Sequence, residues 1–305
     1  MTRVTRVTRT VRTVRAARRE GPLPLAGLLT GTARHRPPGL SRRRKTGWPM
    51  TSRQESMAVM SLRFHEIAES GHRILNPFTE EKLALLGEVA RLRPGMRQLD
   101  LACGKAELLC QWSLRHGIEG VGVDISEVFL SAARERAREL GVGDRLRFER
   151  EDAGAYRAEP EAFDVVSCIG ASWIGGGLEG TVELMLPALK EGGILLVGEP
   201  YWISTPPEEA YEVLGFGAEA FSSLAGTFDR FEAAGVEVLE MVLADQDSWD
   251  RYVASQWWTL SDWLRDNPAD PDVEEVREFL ERARRSHVEY GRRHLGWGVF
   301  VLRRR

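Results

Sequence analysis

Only three cysteines occur in the 305 residues, Cys103, Cys110 and Cys168, and no two of them stand in a CxxC pair. An odd count without paired spacing argues against a disulfide framework and against a sequence-local zinc site, and it fits reduced thiols in a cytoplasmic protein. Six histidines are scattered along the chain without ligand-like spacing, so no metal is expected. No apolar run reaches the roughly 18–20 residues needed to span a bilayer, so no membrane partner is expected.

Outside one segment, positive charge is outnumbered by negative. Residues 1–56 hold thirteen Arg and one Lys against Glu20 and Glu55, a surplus of 12 positive charges. The whole chain carries −3, so residues 57–305 carry −15. A body that acidic repels phosphate backbones, and no nucleic-acid partner is expected for it. The basic segment opens on a Thr-Arg-Val stutter and continues rich in Gly, Pro and Arg, with neither helical nor strand periodicity. It reads as a disordered extension, or as sequence upstream of a later start at Met50, Met57 or Met60. An Arg-rich, acid-poor organellar transit peptide is a second reading, and a nucleic-acid-binding arm a third.

From Arg97 onward, short apolar runs alternate with amphipathic stretches. The runs lie at 97–102, 119–124, 145–150, 163–170, 193–199, 236–244 and 296–303. Most are continuous rather than alternating, as strands covered on both faces require. Helices are expected between them near 106–116, 126–140 (capped by Ser126), 178–190 and 221–234. Strand–helix repetition of this kind predicts an α/β fold, a doubly wound, mostly parallel seven-stranded sheet. Cap helices are expected within 62–92, and a helical insertion over 245–293, in which Asp270 and Pro271 open the second helix. Residues 57–305 read as one domain with these embellishments.

The chemistry concentrates in QLDLACGKAELL, residues 98–109. It is a buried strand ending in Asp100, a turn of small residues, then a helix. Ligands of open α/β sheets bind where such strands end, and small residues let backbone approach them. Asp124 ends the next strand twenty residues after Gly104, where an acid can accept from two ribose hydroxyls. Asp152 follows the third strand. One acid at a strand end is often only a helix cap; three in order carry far more information. A dinucleotide fingerprint is disfavoured, because its glycines would fall on Ala102, Gly104 and Glu107.

The segment LDLACGKAEL resembles the first motif of class I S-adenosylmethionine-dependent methyltransferases, and WIGGGLEG, LLVGEPYW and QDSWDRY are similar to segments of uncharacterised bacterial small-molecule members. The resemblance implies the Rossmann-like methyltransferase fold with S-adenosyl-L-methionine as cofactor. It also implies that Asp100 reaches the methionine amino group and that Ala102, Gly104 and Ala106 form the turn under the ribose and methionine carboxylate. Asp124 would hold the ribose and Ile125 pack on adenine. Asp152 would accept from the adenine amino group beside Ala153, and Cys168 to Gly170 would line the methionine end. Ala replaces two of the usual three glycines; at Ala106 this is the less common departure.

On the acceptor side, Glu199 is the candidate base or acceptor anchor, set against a purely structural carboxylate. Trp173, Tyr201, Trp202 and His65 are candidate substrate contacts. Trp249, Trp257, Trp258 and Trp263 crowd one insertion helix, and an aromatic cage with Trp258 as the candidate contact is set against core packing. Trp249, Val253, Trp257, Leu260 and Leu264 share a face to which Trp258 lies almost opposite, unless Thr259 caps a new helix at Leu260. A lid built from the N-terminal helices, residues 200–216 and the insertion suits a small-molecule acceptor. A cofactor-binding sensor without turnover, and a nucleic-acid methyltransferase, are the other readings.

Overall fold

The computed structural model describes residues 62–305; the extension expected over 1–56 lies outside the described residues. Helix α1 covers 62–68. There follow α2 (Glu80–Val89), β1 (Arg97–Leu101), α3 (Glu107–His116), β2 (Glu119–Asp124), α4 (Glu127–Glu139), β3 (Leu146–Arg150) and β4 (Phe163–Ile169). The second half runs α5 (Leu178–Met185), β5 (Leu189–Trp202), α6 (Glu208–Leu214), α7 (Leu224–Ala233), β6 (Val236–Leu243), α8 (Gln246–Asp266), α9 (Val273–Ser286) and β7 (Leu295–Arg304). Side-chain caps set four of the helix starts: the Thr79, Ser126, Ser223 and Asp245 oxygens accept from the amides of Lys82, Phe129, Gly226 and Ser248.

The seven strands form one sheet in the order β3-β2-β1-β4-β5-β7-β6, parallel except for β7. Chain direction across the sheet reverses at β1, which sits between β2 and β4, and this is where a crevice opens at the strand ends. Neighbouring strand residues feed opposite cores. Leu99, Leu101, Leu195, Val197, Phe300 and Leu302 pack with Leu178, Val182 and Met185 of α5 and Phe231 of α7. Leu196, Val299 and Val301 pack on the other face with Leu83 and Leu86 of α2 and Leu109 and Trp112 of α3. Burial on both faces explains why the inner strands read as continuous apolar runs, while edge strands β3 and β6 are partly exposed.

The insertion is a third packing layer. Leu260 of α8 meets Val276, Phe279 and Leu280 of α9 and Ala68 of α1, with Trp257, Trp263 and Leu264 beside them. Arg63 of α1 forms an ion pair with Asp270 at 2.8 Å and another with Asp272. Helix α1 therefore belongs to the insertion rather than to the sheet.

Several expectations need correction. Asp270 and Pro271 do not open α9: Asp270 accepts the Asp272 amide at 3.0 Å, and the helix starts at Val273. Helix α9 ends at Ser286 and passes into a π-turn over His287–Gly291. Strand β5 runs past 199 to Trp202, because antiparallel β7 pairs Glu199–Trp202 with Gly298–Leu295. Among the described residues no helix is long and apolar enough to cross a membrane, and no group of acids, histidines and cysteines is arranged to hold a metal.

Candidate active site

A cavity of 570 Å³ opens at the carboxyl ends of β1, β2 and β4, within the size range of small-ligand sites. Its floor is the turn between β1 and α3. Ala102, Gly104 and Ala106 all adopt left-handed backbone, with φ of 56°, 55° and 52°. At Gly104 a Cβ would also lie 2.7 Å from Leu75 Cδ1, so the Leu75 side chain would have to shift. The two alanines hold a conformation that costs an L side chain about 1–2 kcal/mol. The turn delivers α3 with Ala106 at its start and no side-chain cap, an end of a helix that suits an anionic group.

Asp124 braces this turn. Its two carboxylate oxygens accept the Gly104 amide at 2.8 Å and the Ser126 amide at 2.8 Å. Burial nevertheless raises its pKa, against the pull of those two amides. Asp100 is the more perturbed group. It is 4 % exposed, and its Oδ1 accepts the Ser167 hydroxyl at 2.6 Å. Desolvation pushes its pKa up to about 7, opposed by the Ser167 bond and assisted by the negative charge of Asp124. A buried carboxyl with so little compensation is suited to meeting a cation. Asp152 is exposed at the rim, one of its oxygens accepting the Gly154 amide at 2.9 Å.

The cavity brings together Asp100, Ala102, Gly104, Asp124, Ile125, Asp152 and Ala153 with Trp173 and His65. Five further expectations are not brought there. Cys168 is fully buried and faces the α5 side of the sheet, while Ile169 and Gly170 line the cavity in its place. Glu199 is 2 % exposed and lies outside the lining; its Oε2 accepts the Ser172 hydroxyl, and burial raises its pKa to about 7. Strand parity explains this, because Glu199 shares the face of Leu195 and Val197. Ser172 in turn accepts Thr181 Oγ1 through its carbonyl, so Glu199 braces the loop that carries Trp173.

Tyr201 and Trp202 are spent on packing. The Tyr201 ring covers Gly296; Trp202 joins Ala210, Leu214, Phe216 and Phe221 in a satellite core and donates its indole N–H to Ala218. Trp258 is 74 % exposed on α8 and forms no cage. Helix α8 runs unbroken through Thr259, whose hydroxyl donates to the Ser255 carbonyl.

The structure adds lining residues that sequence reasoning passed over. Leu62, Arg73, Ile74, Leu75 and Asn76 reach the cavity from α1 and the segment after it, and Tyr252 reaches it from α8. No local motif marks the residues before 77, and Tyr252 closes the quoted segment QDSWDRY without being assigned a role there. Lys105 lies inside the quoted turn motif, yet the sequence alone assigns it no partner.

The groups present fit the nucleoside that the resemblance implies. Acids stand where a ribose diol, an ammonium and an adenine amine could donate, and an uncapped helix start stands where a carboxylate could rest. The comparisons agree. The family model described as a methyltransferase domain matches residues 92–260. The Escherichia coli K12 protein YjhP is 49% identical over 242 residues, covering 79% of this chain and 97% of that one. The crystal structure of a SAM-dependent methyltransferase from Geobacter sulfurreducens in complex with S-adenosyl-L-homocysteine is similar with a TM-score of 0.77 and 47% identity, over 80% of this chain and 98% of that one. A ubiquinone biosynthesis O-methyltransferase from Hahella chejuensis is 30% identical over 215 residues, 69% of this chain and 76% of that one.

Proposed function

The chain belongs to the methyltransferase-domain family and is an S-adenosylmethionine-dependent methyltransferase, and on that premise we propose that it methylates a small molecule held in the 570 Å³ cavity. One observation carries this reading. Residues 62–76 and Tyr252 roof the strand ends, which favours a compact acceptor and obstructs a polymer. The acidic body works against a phosphate backbone. Similarity to a ubiquinone biosynthesis O-methyltransferase points the same way.

In this reading Asp124 accepts from the ribose hydroxyls, and Asp100 meets the methionine ammonium. Asp152 accepts from the adenine amine, with Ile125 and Ala153 beside the ring. His65, Trp173 and Tyr252 belong to the acceptor end. S-adenosylmethionine supplies a methyl group already activated on a sulfonium. The protein's task is therefore to orient the nucleophile and keep water out, which the lid residues Leu62, Ile74 and Leu75 serve. Glu199 acts at one remove, by holding the Trp173 loop.

The test is release of S-adenosylhomocysteine from the purified protein with S-adenosylmethionine. Pools of phenols, amines, thiols and small carboxylic acids are compared with total RNA and total protein. Turnover with a small-molecule pool is expected. Turnover with RNA or protein alone would overturn the reading.

A further inference from the structure

Lys105 sits in the cofactor turn, but its ammonium points away from the turn to the roof. It donates to the carbonyls of Glu69 at 2.7 Å, Ser70 at 3.0 Å and His72 at 2.6 Å. An ammonium has three N–H bonds, and all three are used. The acceptors lie just past the end of α1, where helix carbonyls lack partners within the helix. A lysine in a nucleotide-binding turn would ordinarily suggest an anion contact, yet this one has no proton left to give.

The segment it grips is also tied to the insertion. Glu69 is fully buried, and its Oε1 accepts the Tyr252 hydroxyl at 2.5 Å and the Gln256 amide at 2.8 Å. Its Oε2 lies 2.9 Å from His72 Nδ1, and the other nitrogen of that ring meets Ser255 of α8. A second tie joins the roof to the sheet, since Ser126 donates to Glu66 of α1 at 2.5 Å. Leu62, His65, Arg73, Ile74 and Leu75 line the cavity on either side of the gripped residues, and Leu75 rests on Gly104. A nucleoside in this cavity would lie against both turn and roof, so movement of 62–76 would change its access.

We propose that Lys105 is a positioning residue that clasps the roof segment to the cofactor turn and so sets the rate at which the nucleoside enters and leaves. The proposal rests on the cavity being the nucleoside site. Its signature is kinetic. Loss of a direct ligand contact raises the dissociation rate alone, whereas loss of a gate raises association and dissociation together.

Wild type, Lys105→Met and Lys105→Arg are mixed with S-adenosylhomocysteine in a stopped-flow instrument, with tryptophan fluorescence reporting occupancy near Trp173. Hydrogen exchange over 62–76 is followed with and without the nucleoside. In Lys105→Met both rate constants should rise about tenfold or more, as loss of charge-assisted bonds at the roof implies, with a far smaller change in affinity. Exchange at 62–76 should quicken in the free protein, and Lys105→Arg should fall between the two. If Lys105→Met does not fold, Lys105→Gln, which keeps two N–H donors, carries the same comparison. A rise in dissociation alone, with exchange at 62–76 unchanged, would make Lys105 a ligand contact and overturn the clasp. Unchanged rates would overturn it too. Failure of the wild type to bind the nucleoside would instead remove the site assignment itself.

Discussion

If Asp100 meets the methionine ammonium as proposed, cofactor affinity becomes a function of pH. Its carboxyl keeps its proton up to about 7 because it is buried at the end of β1 with one hydroxyl partner and a neighbouring carboxylate. An ammonium set beside it favours the ionised form. Binding must therefore expel a proton wherever Asp100 still holds one. Affinity is full above neutral pH and falls as pH drops through about 7, by up to about tenfold per unit. If the bound carboxyl returns to its ordinary value of 3.8, the loss between pH 8 and pH 5 is about 90-fold, or about 2.7 kcal/mol. S-adenosylhomocysteine is the right probe, since it keeps the ammonium and lacks the sulfonium charge. Calorimetry in two buffers of different ionisation enthalpy should count close to one proton released near pH 6. Asp100→Asn should abolish most of this release. Affinity that stays flat from pH 5 to pH 8, or a slope that survives in Asp100→Asn, would refute the pairing of Asp100 with a cation.

Glu199→Gln should leave affinity for S-adenosylhomocysteine within about twofold, because the side chain lies outside the cavity. The same substitution should reduce the pH dependence of thermal stability. A carboxyl raised to about 7 stabilises the fold when protonated, and that contribution is lost as pH rises through about 7; melting of the free protein across this range measures it. Ala102→Gly should stabilise the protein by up to about 1 kcal/mol by relieving a left-handed alanine. Ala106→Gly should gain less, since its methyl group is buried in the core; denaturant unfolding separates the two. Trp258→Ala should change stability by less than about 0.5 kcal/mol and leave nucleoside binding unaltered, and a tenfold loss of affinity would restore a role for that ring.

The sheet was legible because buried parallel strands leave continuous apolar runs, and all seven runs correspond to strands. The acids at strand ends were legible for a related reason. An Asp at or next to the end of such a run, as Asp124 and Asp100 are, interrupts an otherwise uniform pattern. Side-chain direction was harder. A run apolar on both faces carries no parity signal, so Cys168 and Ile169 looked equally able to reach the ligand. Pairing decided between them, and it put Glu199 on the α5 side with Leu195 and Val197. Tyr201 and Trp202 were misplaced because β5 extends three residues along β7, a partner about a hundred positions away in the chain. Tyr252 and the segment 73–76 reach the cavity only through the docking of α1 on the insertion, and no local pattern encodes that contact.

Strand β7 lies between β5 and β6 although it follows both in the chain. Until it is made, β6 has nothing to pair with and β5 presents a bare edge. The order of synthesis therefore leaves two strands waiting while α8 and α9 emerge, a window in which an unpaired edge can find another chain instead. Slow decoding between Leu243 and Leu295 would lengthen that exposure, so yield of folded protein should depend on how fast this stretch is translated as well as on which residues it contains.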